Sequence, residues 1–461
     1  MAPAADGHVR ERLTVLADLP PRDGSYVLYW MQAAVRTHDN HALEWAASEA
    51  NRLELPLVVG FGLDPGYPET AARHHRFLIE GLADVQPELH SRRVGFRVEL
   101  GSPEVVALDL SASAAMVVTD RGYLRHQRRW RQALAARAGC RVVEVETNVV
   151  IPVPRASSQR EYAAGTLRPK ILRCLDEHLV EVHVVPVDHD GRSFTGGVDL
   201  DRPGELVAKL GIDDRVAPTS RFTGGQSQAR TRLERFLDGR LEGYAALRGE
   251  PSVEMTSELS PYLHFGHLSP ITAILAAAEA GTSGDSLDTF VEELVVRREL
   301  SHNYVWFEPA YDTYESLPEW ARATLAKHAG DARTHLYSRS ELESGETHDR
   351  YWNASMAEMR ESGFLHNHMR MYWGKQILAW METPEEAYET ALYLNNRYLL
   401  DGRDPNSYAG IGWCFGLHDR PWPEREVFGT VRTMTASGLR RKKDMDSYVG
   451  FVEDLIGGPV P

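Results

Sequence analysis

The sequence predicts an N-terminal α/β domain on an open parallel sheet, a connecting stretch, and a larger all-α domain. Three observations predict it. In the first 150 residues, short β-rich runs alternate with segments long enough for helices. A middle stretch then loses its periodicity and gathers proline and glycine. Beyond Gln226, long stretches carry a helical period with few breakers. In chain order, the strand candidates are Tyr26–Trp30, Leu57–Leu63, Val94–Leu100, Ala115–Thr119 and Arg141–Val145, with helices expected at Asn40–Arg52 and Ala71–Val85. Strand–helix alternation of this kind makes βαβ units, hence a Rossmann-like sheet whose carboxyl end is a natural ligand crevice. No GxGxxG or GxxxxGK[ST] loop occurs, so a standard dinucleotide or P-loop site is not supported. From Ile151 to about Arg221, Pro152, Pro154, Pro186, Pro203 and Pro218 suggest a long connection with short helices. Helices are expected at Leu287–Trp306, Asp349–Gly363, His366–Trp380 and Pro384–Leu400. The expected domains are therefore 1–150 (α/β), 151–225 (linker) and 226–461 (α-helical).

Composition narrows the function. An apolar fraction of 43% with 25% charged residues suits a soluble globular chain. No run of about 18 apolar residues is present, so no membrane span is expected. The first ten residues lack the apolar core of a signal peptide. Cys140, Cys174 and Cys414 are scattered without a CxxC pair, which argues against a disulfide framework or a zinc site and fits a reducing cytoplasm. The net charge of −15 argues against a protein that coats nucleic acid. A DNA enzyme with this balance must gather its Arg and Lys on one face. Composition alone favours an acidic enzyme with a small-molecule substrate.

Three stretches of the helical domain carry the chemistry. In Thr256-Ser-Glu-Leu-Ser-Pro-Tyr-Leu-His-Phe-Gly266, the hydroxyls of Thr256, Ser257 and Ser260 cluster before a helix start with Pro261 in its first turn. Such a start can cradle a diphosphate, though alone it is equally a capped helix. In His366-Asn-His-Met-Arg-Met-Tyr-Trp-Gly-Lys-Gln-Ile-Leu-Ala-Trp380, Trp373 and Trp380 share a helix face, with backbones about 10 Å apart along the axis, a spacing suited to electron hopping or simply to two core aromatics. In Leu394-Asn-Asn-Arg-Tyr-Leu-Leu-Asp-Gly-Arg-Asp-Pro-Asn406, a helix ends near Leu400 and a polar turn follows, with a Gly-rich segment running on to Trp413. Its Asp and Asn side chains can meet the edge of a heterocycle, or can be ordinary turn residues.

Together these stretches resemble the FAD-binding domain of the photolyase/cryptochrome superfamily, specifically the class II cyclobutane pyrimidine dimer photolyases. The resemblance runs over nearly the whole chain: Tyr29-Trp-Met-Gln32, Asp39-Asn-His-Ala-Leu43, Thr166-Leu-Arg-Pro-Lys170, Val296-Arg-Arg-Glu-Leu300, Gly345-Glu-Thr-His-Asp349, Met369-Arg-Met-Tyr-Trp373 and His418-Asp-Arg-Pro-Trp422. Tyr262 departs from it, standing where many class II members carry tryptophan.

The resemblance implies light-driven repair of pyrimidine dimers in UV-damaged DNA by FAD, working as the reduced anion FADH−. It implies that Tyr244, Thr256, Ser257, Leu259 and Ser260 hold the phosphate and ribitol part, that Asn395 faces the flavin N5, and that Arg370 and Asp401 form an ion pair beside the ring. It implies re-reduction through Trp373, Trp352 and Trp380, with Trp352 supplied by another helix. Glu293 matches a carboxyl that touches the dimer, as a protonated acid able to hydrogen-bond the dimer's carbonyl. Read alone, Glu293 is a helix-face partner for Arg297 at i+4. Met371 and Trp413 match apolar walls of the dimer pocket, and Arg248 matches a contact at its edge. The dimer must leave the duplex to enter. Arg420, Arg425, Arg432 and Arg440-Arg-Lys-Lys443 supply a candidate DNA face, with Arg432 matching a residue that intrudes into the opened duplex. An 8-hydroxy-5-deazaflavin antenna is compatible with the resemblance, without assigned residues. A monomer, no membrane and no metal are expected. Two alternatives share the fold: a cryptochrome-like photoreceptor and a (6-4) photolyase. The absence of a long polar tail after Trp422 and the retained Glu293, Trp413 and Met371 weigh toward dimer repair.

Overall fold

The computed structural model describes residues 7–281 and 284–460. Seven strands form one sheet: β1 (Leu13–Ala17), β2 (Tyr26–Trp30), β3 (Leu57–Leu63), β4 (Gly95–Leu100), β5 (Ala114–Asp120), β6 (Arg141–Val145) and β7 (Gly196–Gly197), in the order β1-β6-β5-β2-β3-β4-β7. All neighbours are parallel except β1, which pairs antiparallel with β6. The chain runs outward from β2 through β3 to β4, then returns to β5 on the other side of β2. This reversal of strand order opens a crevice above the carboxyl ends of β2 and β5.

β2 shows why these strands read as continuous apolar runs. Val27 and Tyr29 pack with Leu43, Ala46 and Leu82 from helices His41–Arg52 and Ala72–Ser91. Tyr26, Leu28 and Trp30 pack on the opposite face with Val106, Leu110 and Leu134 from helices Pro103–Ser111 and Arg125–Arg137. A strand covered on both faces has no polar side to alternate. The two unanticipated strands lack that signature. β1 is a half-exposed edge strand, and β7 is two glycines. Gly197 has φ +95°, and a Cβ there would lie 1.9 Å from the carbonyl oxygen of Val98.

The connection is more helical than expected. Ala164–His178 is a 15-residue helix whose Leu167, Ile171 and Cys174 join the helical core. The expected single helix at Leu287–Trp306 is interrupted: Gly284–Val291 leads into a π-helical turn, Glu292–Arg297, and then into Arg298–Phe307. The expected Gly-rich segment before Trp413 is a helix, Pro405–Cys414, with Asp404 accepting from the Asn406 N–H as its N-cap and Pro405 in its first turn. Its Gly412 lets Leu417 approach; a Cβ would meet Leu417 Cδ2 at 2.7 Å.

Buried charge joins sheet to helices. The Glu299 carboxyl accepts from the backbone N–H groups of Val150 (2.5 Å) and Ile151 (3.3 Å). Burial pushes its pKa up to about 8, against the pull of those donors and of Arg298. Arg73 reaches from the helix Ala72–Ser91 to the carbonyls of Met359 (3.0 Å) and Tyr398 (2.7 Å). Among the described residues, no helix is long and apolar enough to cross a membrane.

Candidate functional site

The site begins where helix Asn367–Trp380 packs beside helix Pro384–Tyr398. Arg370 donates through Nη2 to both oxygens of Asp401, at 3.2 and 3.1 Å. Asn395 is 1% exposed. Its Nδ2 makes only a long 3.4 Å bond to Asn396 Oδ1. Asn395 Oδ1, Arg370 Nε and the Trp373 indole N–H are all buried without a partner. Buried polar groups are nearly always paired, so three idle ones on adjoining helices mark a place for a ligand. The neighbouring Asn396 is different: it donates to Glu69 Oε2 at 2.6 Å and accepts from the Arg403 N–H at 2.9 Å.

The hydroxyl loop owes its shape to Glu258, a residue the sequence reading passed over. Glu258 has φ +54°, a left-handed turn costly for a side-chain-bearing residue. Its carboxylate is 4% exposed and ion-paired with Arg221, Arg232 (2.7 Å) and Arg240 (3.3 Å). Burial alone would raise its pKa; the three guanidiniums outweigh this and hold it below the ordinary carboxylate value. With Glu258 pinned inward, Thr256, Ser257 and Ser260 stay half-buried, and no side chain caps the helix that follows. That helix, Ser260–His264, has five residues, too few to supply the full helix-start field that the sequence suggested. The hydroxyls themselves are the available donors. Leu259 is buried, and Tyr244 packs between Phe236 and Phe290 with the Arg248 guanidinium 5.7 Å over its ring.

Trp352, on helix Arg350–Ser362, lies between the two tryptophans of helix Asn367–Trp380. Its ring is 6.3 Å from Trp373, 7° from parallel, and 5.7 Å from Trp380 at 66°. The Asp349 carboxylate fixes this arrangement. It accepts from the N–H groups of Tyr351 and Trp352 at the helix start, and from the Tyr372 hydroxyl.

The π-helical turn organises the residues expected at the dimer pocket. One extra residue per turn brings both Glu292 (i−5) and Glu293 (i−4) to Arg297 Nε, at 3.2 and 3.1 Å. Arg168 grips Glu292 through two 2.8 Å bonds, and Arg248 pairs with Glu293. Glu293 therefore meets two guanidiniums, both on Oε1, rather than the i+4 partner alone. The Arg297 guanidinium also lies 5.5 Å over the half-buried ring of Trp413. Met371 is half-buried one helical turn from Arg370's end of the same helix.

The candidate DNA residues cluster near this rim. Arg420 and Arg432 lie over the Trp422 ring at 5.6 and 5.0 Å. His368, one turn from Met371, has its pKa lowered first by burial and then by Lys443, against the pull of Glu250, with Lys442 and Arg432 adding smaller contributions. Arg425, Arg440 and Arg441 are exposed.

A second site lies in the crevice of the sheet. A cavity of about 110 Å³ is lined by Trp30, Gln32, Phe61, Tyr67, His74, Trp130, Phe265 and Arg403 among others. Both ends of the Gln32 amide, Trp30 Nε1 and Arg403 Nη2 are buried there without partners. Asp120 holds the loop that presents Gln32, accepting from the Tyr29 hydroxyl (2.8 Å) and the N–H groups of Gln32, Ala33 (2.9 Å) and Ala34 (3.1 Å). Sequence offered one signal, the strand–helix alternation that makes the carboxyl end of a parallel sheet a ligand crevice; the lining itself comes from segments far apart in the chain.

A family model described as DNA photolyase matches residues 27–188. A deoxyribodipyrimidine photo-lyase of Methanothermobacter thermautotrophicus is 46% identical over 437 residues, 95% of this chain and 96% of its own length. The class III photolyase of Agrobacterium tumefaciens superposes with a TM-score of 0.72 at 19% identity, covering 95% of this chain and 87% of that one. The photolyase of Sulfolobus tokodaii, solved with two FAD molecules, gives 0.67 at 16% identity over 93% and 89%.

Proposed function

The chain belongs to the DNA photolyase family, and on that premise we propose that it repairs cyclobutane pyrimidine dimers in UV-damaged DNA with light, as a class II enzyme using FAD. The observation that carries this is the set of idle buried groups, Asn395 Oδ1, Arg370 Nε and Trp373 Nε1, where the Trp373 ring stacks on Trp352 and Trp352 meets Trp380 edge-on. An amide, a guanidinium and an indole fit the polar edge and face of a flavin ring, and the free hydroxyls of Thr256, Ser257 and Ser260 fit its diphosphate tail. Held by these groups, reduced FAD would supply the light-driven, reversible loan of one electron that opens the dimer's ring.

The protein's part is to hold, shield and charge-balance. Asn395 presents an amide that can turn either its oxygen or its nitrogen to the flavin N5. Arg370, anchored by Asp401, supplies fixed positive charge for an anionic ring. Trp413 and Met371 form the apolar walls for a flipped-out dimer, and Arg248 and Glu293 line its edge. The Arg248–Glu293–Arg297 arrangement sets three charges at that edge, two positive, which favours added negative charge on a bound dimer in a dry site. Trp373, Trp352 and Trp380 relay electrons inward to restore the reduced cofactor. Arg432, Lys442 and Lys443 give an acidic chain the local positive face that phosphate binding needs. We assign the crevice cavity to a planar antenna chromophore of the deazaflavin type, with the Gln32 amide on its polar edge and Arg403 toward an acidic group. On the proposed division at 1–150, 151–225 and 226–461, this antenna would lie between the first part and Phe265 and Arg403 of the third, and catalysis would belong to the third.

The test is a purified preparation with a visible flavin spectrum, reduced, mixed with an oligonucleotide carrying one thymine dimer, and illuminated with near-UV or blue light. Loss of the dimer only in the light, only with FAD, is the expected result. FAD without repair would shift the reading to a photoreceptor or a (6-4) enzyme, and a folded protein that takes up no FAD would end it.

A further inference from the structure

The hairpin that carries Arg420, Trp422 and Arg432 is strained at its tip and tied down from outside. Within segment 419–432, the Trp422 N–H donates to the Thr430 carbonyl at 2.8 Å and the Arg425 N–H to the Gly429 carbonyl at 2.9 Å. Between these two limbs Val427 has φ +64°. For a β-branched residue that left-handed conformation is an outlier, and it persists only where its surroundings hold it. The Val427 N–H donates to Asp331 Oδ2 at 2.9 Å, and the Thr430 N–H to Thr324 Oγ1 at 2.9 Å. Thr324 lies on helix Glu319–Lys327 and Asp331 in the turn that follows it.

His328, at the end of that helix, bridges the two sides. Its Nδ1 lies 2.6 Å from the same Asp331 Oδ2 that accepts from Val427, and its Nε2 lies 2.9 Å from Glu424 Oε1 on the hairpin. Carboxylates only accept, and a neutral imidazole has one N–H to give. The ring can satisfy both carboxylates only as an imidazolium. Its place at a helix C-terminus favours the same charge. The hydrogen bonds to Glu424 and then to Asp331 raise its pKa above the ordinary 6.5. The other charges facing this cluster are Lys327, whose Nζ lies 2.6 Å from Glu424 Oε1, and Arg333, beside Asp331. His368 and His418, nearer the dimer pocket, are shifted the opposite way by burial, so they are neutral before His328 discharges.

Resting on the reading of Arg420 and Arg432 as DNA contacts, we infer that His328 is a positioning residue for dimer recognition: as an imidazolium it clamps the hairpin to helix Glu319–Lys327, and when it gives up its proton the DNA face loosens. A neutral ring keeps one of its two hydrogen bonds. If the bond from Nε2 is lost, the direct link to Glu424 goes. If the bond from Nδ1 is lost, the Asp331 oxygen that holds Val427 is no longer steadied. Either way the strained tip loses part of what offsets its strain. The clamp is fully present below 6.5, the unfolded value, and is lost as pH rises through the raised folded value. Recognition of a dimer, which needs Arg420, Trp422 and Arg432 in place, follows the same course.

The experiment measures, in the dark and at fixed salt, how tightly the holoprotein binds a duplex carrying one thymine dimer, from about pH 6 to about pH 8, where a histidine titrates. Fluorescence anisotropy gives the affinity. Proton NMR of the His328 ring gives its titration, and hydrogen exchange of segment 419–432, corrected for the intrinsic rate at each pH, reads the hairpin. Affinity is expected to fall about threefold across the His328 titration, the scale of one exposed charge pair, with exchange at Val427 and Thr430 rising in step. His328→Gln should stay at the weak level and His328→Arg at the tight level, both without that step. A His328 ring that titrates at or below 6.5, a hairpin whose exchange ignores the titration, or a His328→Gln protein that keeps the step would each overturn the inference. So would an affinity that ignores a titration which does loosen the hairpin, provided Arg432→Ala still weakens binding. If Arg432→Ala is silent as well, the DNA-face reading beneath is what fails.

Discussion

The indole N–H of Trp352 donates to the backbone carbonyl of Trp373 at 3.0 Å, while the two rings lie 7° from parallel with centroids 6.3 Å apart. One hydrogen bond thus sets the separation of two rings carried on different helices. Trp352→Phe removes the middle ring's donor; the Trp373 carbonyl lies within a helix and keeps its i+4 partner, so the loss is about 0.5–1.5 kcal/mol. Flash photoreduction of the bound flavin is expected to fall at least about tenfold, since a lost step in the relay raises the barrier by about 1.4 kcal/mol or more. Flavin content, read from the visible spectrum, should be retained.

Arg370→Met tests the ion pair. Asp401 is 8% exposed, and stripping a buried carboxylate of its cation costs about 3–5 kcal/mol. The melting temperature should drop by several degrees and the purified protein should carry less FAD. Asp401→Asn should lose less, because the amide oxygen can still accept from Arg370.

Glu293→Ala leaves Arg248 and Arg297 without the carboxylate they share. FAD should remain bound, because none of these groups touches Asn395, Arg370 or the hydroxyl loop. The quantum yield of dimer splitting should fall, as measured by dimer loss per absorbed photon with reduced flavin. An unchanged yield would show that the carboxylate does not act on the dimer.

Arg432→Ala should weaken binding of dimer-containing DNA and flatten its salt dependence. Removing one phosphate contact lowers the slope of log affinity against log salt by about 1. The same change measured on undamaged DNA would place Arg432 on the backbone, and a loss confined to damaged DNA would place it inside the opened duplex.

Two classes of buried group shape stability against pH. The Glu299 pKa is raised to about 8 in the folded protein. The native state therefore holds a proton that the unfolded state releases, and this contribution is fully present below the unfolded value and lost as pH rises through about 8. His267 and His302 are lowered by burial to about 3, so the unfolded state binds protons first, and stability falls as pH drops below 6.5, their unfolded value. Melting temperature should peak between these limits. Glu299→Gln should flatten the alkaline limb and leave the acidic one.

The parts legible in the sequence were those where one local pattern decides the structure. Tyr26–Trp30 reads as a buried strand because both its faces are covered. Trp352 could be placed on another helix because 21 residues separate it from Trp373. What escaped depends on partners distant in sequence. Asn395 and Asn396 are chemically identical neighbours, and only packing shows that Asn396 is satisfied by Glu69 and Arg403 while Asn395 is idle. Glu258 looks like any acidic loop residue until Arg221, Arg232 and Arg240 converge on it. Gln32 lines the crevice because Asp120, 88 residues away, gathers its loop. The π-helical turn escaped because its apolar spacing matches an ordinary helix closely enough.

The two-residue strand β7 pairs with the outer side of β4, yet it lies beyond the helix Ala164–His178 that belongs to the other half of the molecule. The sheet therefore cannot be finished by the residues that make up its other strands. During synthesis, β4 must wait about a hundred residues, several seconds at the ordinary pace of translation, with its hydrogen-bonding edge open to any other nascent strand. An excised fragment ending at residue 150 would keep that edge open permanently and is expected to self-associate, whereas one extended past Leu200 closes it.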